Sequence, residues 1–201
     1  MIEASIRKKQ GDFSLSAELS DGGFICLAGR NGSGKSTLFR VIAGQLKMDE
    51  GFVKVGGRDV TRQPVERRGI VMVTPGSSLP HLKVDSHLKW GAAIRGVPLD
   101  ERVIAGTKAA LGIDFGGSVR TLSLGMRERV SLATALLARP KVILVDEAFS
   151  NLHDREEFVA NYRKLAGEAG VDVMFSTQDE DEGAGADHLY LIKQGVAERA
   201  K

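Results

Sequence analysis

The sequence lacks the features that mark disulfide-bonded, secreted or membrane-spanning chains. Its 201 residues include one cysteine, Cys26, which excludes an internal disulfide framework and any metal site built on a cysteine cluster. The longest stretch without a charged residue, 69–82, contains prolines and is shorter than the roughly 18 apolar residues of a membrane span. No apolar segment follows the positive charges near the N-terminus, so we expect no secretory signal and a cytoplasmic chain.

Neither the net charge nor the aromatic content is large. Lys and Arg number 28 and Asp and Glu 26, and this near balance argues against a bulk nucleic-acid binder. Apolar residues make up 42%, charged residues 27% and aromatic residues 5%, which indicates a globular chain and not a disordered one. Glycine is the abundant residue, at 24 of 201 or about 12% against roughly 7% on average, so the positions of the glycines are informative.

The apolar pattern predicts strands that alternate with helices. Two alternating runs, 2–7 and 13–19, predict an N-terminal hairpin that turns near Gln10. Short continuous apolar runs at 24–28 and 142–145 predict strands buried on both faces, and strands alternating with helices predict a mostly parallel α/β sheet. The other predicted elements are helices at 36–46, 84–94, 99–111, 127–138 and 155–169 and strands at 52–55, 70–73, 171–176, 189–192 and 196–199.

The middle of the chain differs in composition, since glycine and proline interrupt its helical patterns. We therefore predict one domain over 1–201, in which a core of 1–74 and 127–201 carries an inserted helical lobe at about 75–126.

Residues 29–36 read Gly-Arg-Asn-Gly-Ser-Gly-Lys-Ser and match the phosphate-binding template G-x-x-x-x-G-K-[ST], after a predicted buried strand and before a predicted helix. Glycines let successive backbone N–H groups turn toward an anion, and the helix N-terminus adds further donors. We expect Lys35 to contact the β- and γ-phosphates and Ser36 to supply an oxygen to Mg²⁺. The nucleotide-binding residues predicted here are Gly29, Arg30, Asn31, Gly32, Ser33, Gly34, Lys35, Ser36 and Thr37.

The predicted strand 142–145 ends in two carboxylates, Asp146 and Glu147, at the edge where open α/β sheets bind ligands. We expect Asp146 to hold Mg²⁺ through water and Glu147 to orient or deprotonate an attacking water. Together with the loop, this strand predicts a P-loop NTPase (RecA-like) fold: a mostly parallel sheet core, an N-terminal antiparallel β region and an inserted helical lobe.

Residues 122–126, Leu-Ser-Leu-Gly-Met, open a predicted helix and resemble the L-S-G-G-Q signature of the ATPase subunits of ABC transporters. Residues 149–153 are similar to the D-loop of that family, residues 80–84 to the stretch after its Q-loop, and residues 64–70 to a run common in its importer subunits. In that last run we expect Arg67 and Arg68 to face solvent. The N-terminal hairpin is most similar to molybdate and tungstate importer ATPases.

The resemblance implies a subunit that binds ATP and Mg²⁺ and hydrolyses ATP to drive solute or oxyanion import. It implies a head-to-tail homodimer, or a heterodimer with another ABC ATPase, in which Ser123 and the Gly125 N–H of one subunit cap the ATP of the other. It also implies integral membrane permease partners, no nucleic-acid partner and a peripheral location at the inner face of the cell membrane. Because the sequence ends at Lys201, soon after the last predicted strand, we expect it to lack the regulatory extension of some importer ATPases.

Four residues depart from the family pattern. Thr74 stands where a glutamine usually reaches Mg²⁺, Gln178 stands at the usual place of a catalytic histidine, and Leu124 and Met126 replace a glycine and a glutamine of the signature. Glutamine can hydrogen-bond a phosphate but cannot carry a proton or a positive charge.

Two interpretations of these departures stay open: slow hydrolysis, or a nucleotide-binding subunit whose hydrolysis is impaired. We favour slow hydrolysis because Lys35 and Glu147 are present. Two other functions are alternatives to transport. A soluble non-transport ABC ATPase usually has a coiled-coil insertion or a basic face, and neither appears in the sequence. A P-loop kinase needs an acceptor-binding base and a lid in place of the Leu-Ser-x-Gly segment.

The family also places an aromatic ring against adenine, in a loop before the Walker strand. Phe13 is the aromatic residue available between Met1 and Phe24, so it is the candidate. A core position in an alternating strand is an equally good interpretation of Phe13.

Overall fold

The computed structural model describes residues 1–201, which fold into two compact units. The first unit comprises 1–72, 141–147 and 172–201, and the second comprises 73–140 and 148–171. The prediction of one domain with a lobe at about 75–126 stays a prediction.

Ten strands form one sheet with an antiparallel N-terminal region and a parallel centre. The strands are β1 Ile2–Gln10, β2 Phe13–Asp21, β3 Phe24–Ala28, β4 Glu50–Val55, β5 Arg58–Asp59, β6 Ile70–Val73, β7 Val142–Val145, β8 Asp172–Thr177, β9 His188–Lys193 and β10 Val196–Arg199. Their order in the sheet is β5-β4-β1-β2-β10-β9-β3-β8-β7-β6. Strand β1 is antiparallel to β2 and β4, whereas β8 is parallel to both β3 and β7. The predicted fold class is confirmed.

The core of the first unit explains why the residues that follow β3 and β7 lie at one edge of the sheet. Every residue of β3 and of β7 is buried, as their continuous apolar sequences predict. Helix α1, Lys35–Ala43, follows β3 and buries Leu38, Val41 and Ile42 in the core cluster that also contains Leu144 of β7. Because β3 and β7 both run parallel to β8, the residues that follow the two strands emerge at the same edge of the sheet.

The second unit contains four α-helices: α2 Val84–Ile94, α3 Glu101–Ala110, α4 Leu124–Leu137 and α5 Arg155–Glu168. None of the helices in the structure has the length and apolar composition that a membrane crossing requires. Helix α4 begins at Leu124, three residues before the predicted start, because the Ser123 hydroxyl caps it by accepting from the Met126 N–H at 3.3 Å. Leu124 has no positive φ, so its side chain causes no left-handed strain in the signature-like segment.

Arg68 is buried, and the expectation that it faces solvent is wrong. Its guanidinium donates to the carbonyl oxygens of Ile42 at 3.1 Å, Thr61 at 2.8 Å and Gln63 at 3.0 Å. The last carbonyls of a helix have no partner within the helix, and a guanidinium with five donors can satisfy several at once. Arg68 therefore ties the C-terminal end of α1 to the segment 61–63, whereas Arg67 is exposed as expected.

We expect Arg68→Met to lower the free energy of unfolding by about 1–3 kcal/mol, because several buried carbonyls lose their donor. Urea unfolding followed by circular dichroism measures the effect. The matched control is Arg67→Met, at the exposed neighbour, with an expected change within about 0.5 kcal/mol. Equal stability of the two variants would show that the buried guanidinium does not stabilise the fold.

Candidate functional site

The loop 29–34 connects β3 to α1 and depends on glycine at its last position. Gly34 has a φ of 112°, in the region that favours glycine, and a Cβ atom there would lie 2.8 Å from Cζ of Phe13. Helix α1 begins directly afterwards at Lys35. The first N–H groups of a helix have no partner within it, so the loop leads into a set of free backbone donors.

Lys35 is a buried cation at the start of α1, with 4% of its surface exposed. Its Nζ donates to the carbonyl oxygens of Gly29 at 2.7 Å and Arg30 at 3.2 Å. The same atom lies 3.7 Å from Oε1 of Glu147, which follows β7. The charge of Lys35 is thus held among oxygen atoms where the two strand ends meet.

A hydroxyl on β8 organises the two carboxylates that follow β7. Ser176 Oγ donates to Oδ1 of the buried Asp146 at 2.8 Å and accepts from the Glu147 N–H at 3.0 Å. Glu147 has a φ of 57°, a left-handed backbone that costs a non-glycine residue on the order of 1–2 kcal/mol. Ser176 was not predicted as a site residue; its place near the carboxyl end of β8, the strand paired with β7, is the signal that points to it.

One open cavity of about 430 Å³ brings eight of the predicted site residues together. Its lining residues are Gln10, Phe13, Asn31, Gly32, Gly34, Lys35, Ser36, Thr37 and Glu147. Phe13 lines this cavity and also packs against the core of the first unit. A core position is therefore compatible with the predicted contact between its ring and a ligand. Gln10 was not predicted; its pairing with Phe13 across the hairpin is the signal for it.

Other predicted residues of the first unit lie beside the cavity wall or away from it. Gly29 and Arg30 contribute through the carbonyls that hold Lys35, and Asp146 through its bond to Ser176. Gly29 and Ser33 are buried, and Ser33 Oγ has no hydrogen-bond partner. Gln178 is exposed directly after β8 and does not line the cavity.

Three predicted residues, Thr74, Ser123 and Gly125, belong to the second unit. Thr74 forms a turn with Ser77, since its N–H donates to Ser77 Oγ at 2.9 Å and its own hydroxyl lies 3.0 Å from that atom. Ser123 caps α4, and a Cβ atom at Gly125 would lie 3.1 Å from the carbonyl oxygen of Asn151. The predicted contacts of these residues with nucleotide or metal stay predictions.

The donor atoms at the edge of the sheet fit a magnesium ion that arrives with a phosphate ligand. Ser36 offers a hydroxyl and Asp146 a carboxylate, which are the hard oxygen donors that Mg²⁺ prefers. The chain has no group of three His, Cys, Asp or Glu side chains arranged to hold a metal. Mg²⁺ typically uses one or two protein oxygens and completes its shell with substrate phosphates and water, so this sparse donor set is suitable.

Glu128, one turn into α4, was not singled out by its sequence. It is 2% exposed; its Oε1 accepts from the Asn151 side-chain amide at 2.9 Å, and its Oε2 is buried without a partner. Burial raises the pKa of Glu128, and the hydrogen bond from Asn151 opposes that shift. Glu128 ties Asn151 to α4 through this hydrogen bond, and Gly125, which has no side chain, leaves room for the Asn151 carbonyl near the start of the helix.

The comparison with known families decides which group of proteins the chain resembles. The family described as ABC transporter matches residues 13–150, more than half of the chain, and this range includes both the glycine loop and the carboxylates after β7. This chain belongs to the ABC transporter family.

Curated members of the ABC transporter family align with most of the chain. An sn-glycerol-3-phosphate import ATP-binding protein, UgpC of Chromohalobacter salexigens, is 34% identical over 92% of this chain and 52% of its own length. A sulfate/thiosulfate import ATP-binding protein, CysA of Mycobacterium bovis, is 35% identical over 99% of this chain and 60% of its own length. The chain thus spans about half to three fifths of these two relatives. EcfA1 of Ligilactobacillus salivarius, an energy-coupling factor transporter ATP-binding protein, is 33% identical over 90% of this chain and 68% of its own length.

Solved structures of ABC ATP-binding proteins share the fold. An ATP-binding subunit of an ABC transporter has a TM-score of 0.82 at 18% identity and covers 100% of this chain and 90% of the other. The ADP conformation of MJ1267, an ATP-binding cassette, has a TM-score of 0.79 at 25% identity over 98% of this chain and 89% of that one.

We expect Glu128→Gln to raise the melting temperature at neutral pH and to have little effect in acid. The raised pKa means that ionisation of Glu128 destabilises the folded state; this penalty is absent where both states are protonated and grows as the pH rises above the ordinary pKa of a glutamate. A neutral amide keeps the acceptor for Asn151 without a buried charge. A relief of about 1 kcal/mol corresponds to roughly 2–4 °C for a chain of this size.

Thermal unfolding between about pH 4 and pH 8 tests this expectation. Glu168→Gln, at an exposed glutamate at the end of α5, serves as the control and should show a smaller difference at every pH. A Glu128→Gln effect that does not change with pH would contradict a buried, destabilising charge.

Proposed function

We propose that this ABC transporter domain binds ATP with Mg²⁺ and hydrolyses it to power the import of a solute. The observation that carries the proposal is the 3.7 Å approach of the Lys35 ammonium to the Glu147 carboxylate in a cavity that the glycine loop also lines. A phosphate-binding cation and a carboxylate able to accept a proton from water thus share one site. The relatives named as import ATP-binding proteins support import over export.

The loop and α1 would bind the phosphates of the nucleotide. Free N–H groups at the start of α1 and in the loop favour an anion, and Lys35 adds a full positive charge. Ser36 and Asp146 would hold Mg²⁺, which when bound neutralises the charge that develops on the phosphate oxygens. Ser176 keeps the Asp146 carboxylate oriented through its hydroxyl.

Glu147 would act on the attacking water. Its carboxylate is 37% exposed, so water can reach it, and its backbone is fixed by the bond from its N–H to Ser176 Oγ. A carboxylate held in this way can accept a hydrogen bond from water and orient or deprotonate it for attack on the γ-phosphate. Lys35 and Glu147 are then the two residues most directly involved, and Gln178 is the proposed third, as a hydrogen-bond donor to phosphate.

A second subunit would complete the site. In the proposed head-to-tail homodimer or heterodimer, Ser123 and the Gly125 N–H of one subunit cap the nucleotide of the other. The Ser123 hydroxyl is used as an acceptor by Met126 and keeps its own proton available for donation, which supports this role. The N-terminus of α4, a helix of 14 residues, adds a positive dipole end.

Membrane permease subunits are the proposed partners of the dimer, which would place the chain at the inner face of the cell membrane. Both UgpC and CysA are named for oxyanions, sn-glycerol-3-phosphate and sulfate or thiosulfate. This supports an oxyanion as the imported solute, and the likeness of the N-terminal hairpin to molybdate and tungstate importer ATPases points in the same direction.

We propose slow hydrolysis, because Thr74 and Gln178 replace the two side chains that usually complete the catalytic set. Loss of one contact made in the transition state commonly costs about 10²–10³ in rate. Thr74 has a shorter side chain than glutamine, and its hydroxyl is already close to Ser77. The alternative is a subunit that binds ATP without hydrolysing it.

Two variants separate binding from chemistry. We expect Lys35→Ala to weaken Mg-ATP binding at least about tenfold, because the loop loses its cation. We expect Glu147→Gln to keep the affinity and to lower kcat by about 10²–10⁴-fold, because the amide cannot accept a proton. Isothermal titration calorimetry gives the affinity, and phosphate release gives the rate.

Lys47→Ala, at an exposed lysine shortly after α1, is the control and should leave both quantities unchanged. Unaltered Mg-ATP affinity in Lys35→Ala would defeat the proposed phosphate site.

A gain-of-function variant tests the slow-hydrolysis proposal. We expect Gln178→His to raise kcat, by up to the 10²–10³-fold that one transition-state contact is worth, because imidazole can carry a proton and a positive charge. Steady-state phosphate release measures the change, with Gln194→His, in the β9–β10 turn, as the control. An ordinary kcat in the unaltered chain, with no gain in the variant, would refute the proposal.

A further inference from the structure

Gln10 lines the cavity and has no role in the phosphate chemistry. It is the last residue of β1, and its register partner across the hairpin is Phe13. Its side-chain amide is exposed and makes no hydrogen bond within the chain. An amide with two donors and an acceptor at the wall of a ligand cavity can form hydrogen bonds with the polar edge of a bound molecule.

The distribution of charges along the cavity wall indicates which part of a nucleotide meets Gln10. The glycine loop, the first turn of α1 and Glu147 supply every other lining residue, and they include the backbone donors and the ammonium that suit a phosphate. The hairpin supplies only Gln10 and Phe13, an uncharged amide and an aromatic ring. The uncharged parts of a nucleotide are the base and the ribose, and of these the planar base matches a wall that contains an aromatic ring.

Phe13 is held in place by the loop that would bind the phosphates. Its ring lies so close to Gly34 that a Cβ atom there would be 2.8 Å from Cζ, and it packs against the core of the first unit. A half-buried ring can stack on any base, since every base has a π face. Phe13 can therefore provide affinity for a base but no discrimination between bases.

We infer that Gln10 selects adenine over guanine, and this inference rests on the proposed nucleotide binding. The pair that we infer uses the N7 edge of adenine, where the N6 amino group and the N7 acceptor match the oxygen and the NH₂ group of a glutamine amide. The same edge of guanine presents two acceptors, O6 and N7, so the amide oxygen would face O6 without a proton between them. A bidentate glutamine–adenine pair of this kind discriminates about tenfold or more against a base that cannot form it.

Titration calorimetry with ATP and with GTP, both as Mg²⁺ complexes and on the full chain, tests the inference. We expect the unaltered chain to prefer ATP and Gln10→Ala to reduce the ratio of the two affinities about tenfold, mainly by weakening ATP. Asp12→Ala, in the same turn but outside the cavity lining, is the control and should keep the ratio. Phe13→Ala should weaken both nucleotides and leave their ratio unchanged.

The outcomes separate this inference from the proposed function. Binding of both nucleotides with a ratio near one, or a ratio that Gln10→Ala does not change, overturns the role of Gln10 and leaves the phosphate site intact. Failure of the unaltered chain to bind either nucleotide overturns the proposed function and the inference with it. A ratio that falls in Gln10→Ala and stays in Asp12→Ala supports the inference.

Discussion

The site depends on one buried cation, the ammonium of Lys35, and on the oxygen atoms that surround it. Burying a charge is unfavourable unless partners compensate for the lost water, and here the carbonyls of Gly29 and Arg30 and the carboxylate of Glu147 provide that compensation. These partners follow β3 and β7, which run in the same direction on either side of β8 and therefore end at a common edge of the sheet. The fold of the first unit is thus required to keep this charge in place.

Much of this arrangement could be predicted from the sequence because it is local. Continuous apolar runs predict β6 and β7 at their observed bounds, and the pattern of α2 gives both of its ends. The residues of the glycine loop follow one another along the chain, so the template predicts that loop without any knowledge of tertiary contacts. Strand β5, a pair of exposed residues, has no apolar pattern and was missed.

The residues that the sequence analysis misplaced or missed are those whose partners are distant. Arg68 lies in a polar segment, and only the position of the C-terminus of α1, 26 residues earlier, makes it a buried donor. Ser176 and Glu128 likewise gain their significance from Glu147 and Asn151, 29 and 23 residues away. A side chain that satisfies a backbone group or a carboxyl far along the chain leaves no local periodicity to detect.

The left-handed backbone of Glu147 has an evolutionary consequence. At that φ of 57°, glycine would relieve steric crowding, so the residue that the backbone conformation favours has no acid group. Selection for thermostability alone would favour glycine here, so the carboxylate is explained by the role proposed for it and not by the needs of the fold. A descendant that no longer needs that role should lose the acid early and gain thermal stability as it does so.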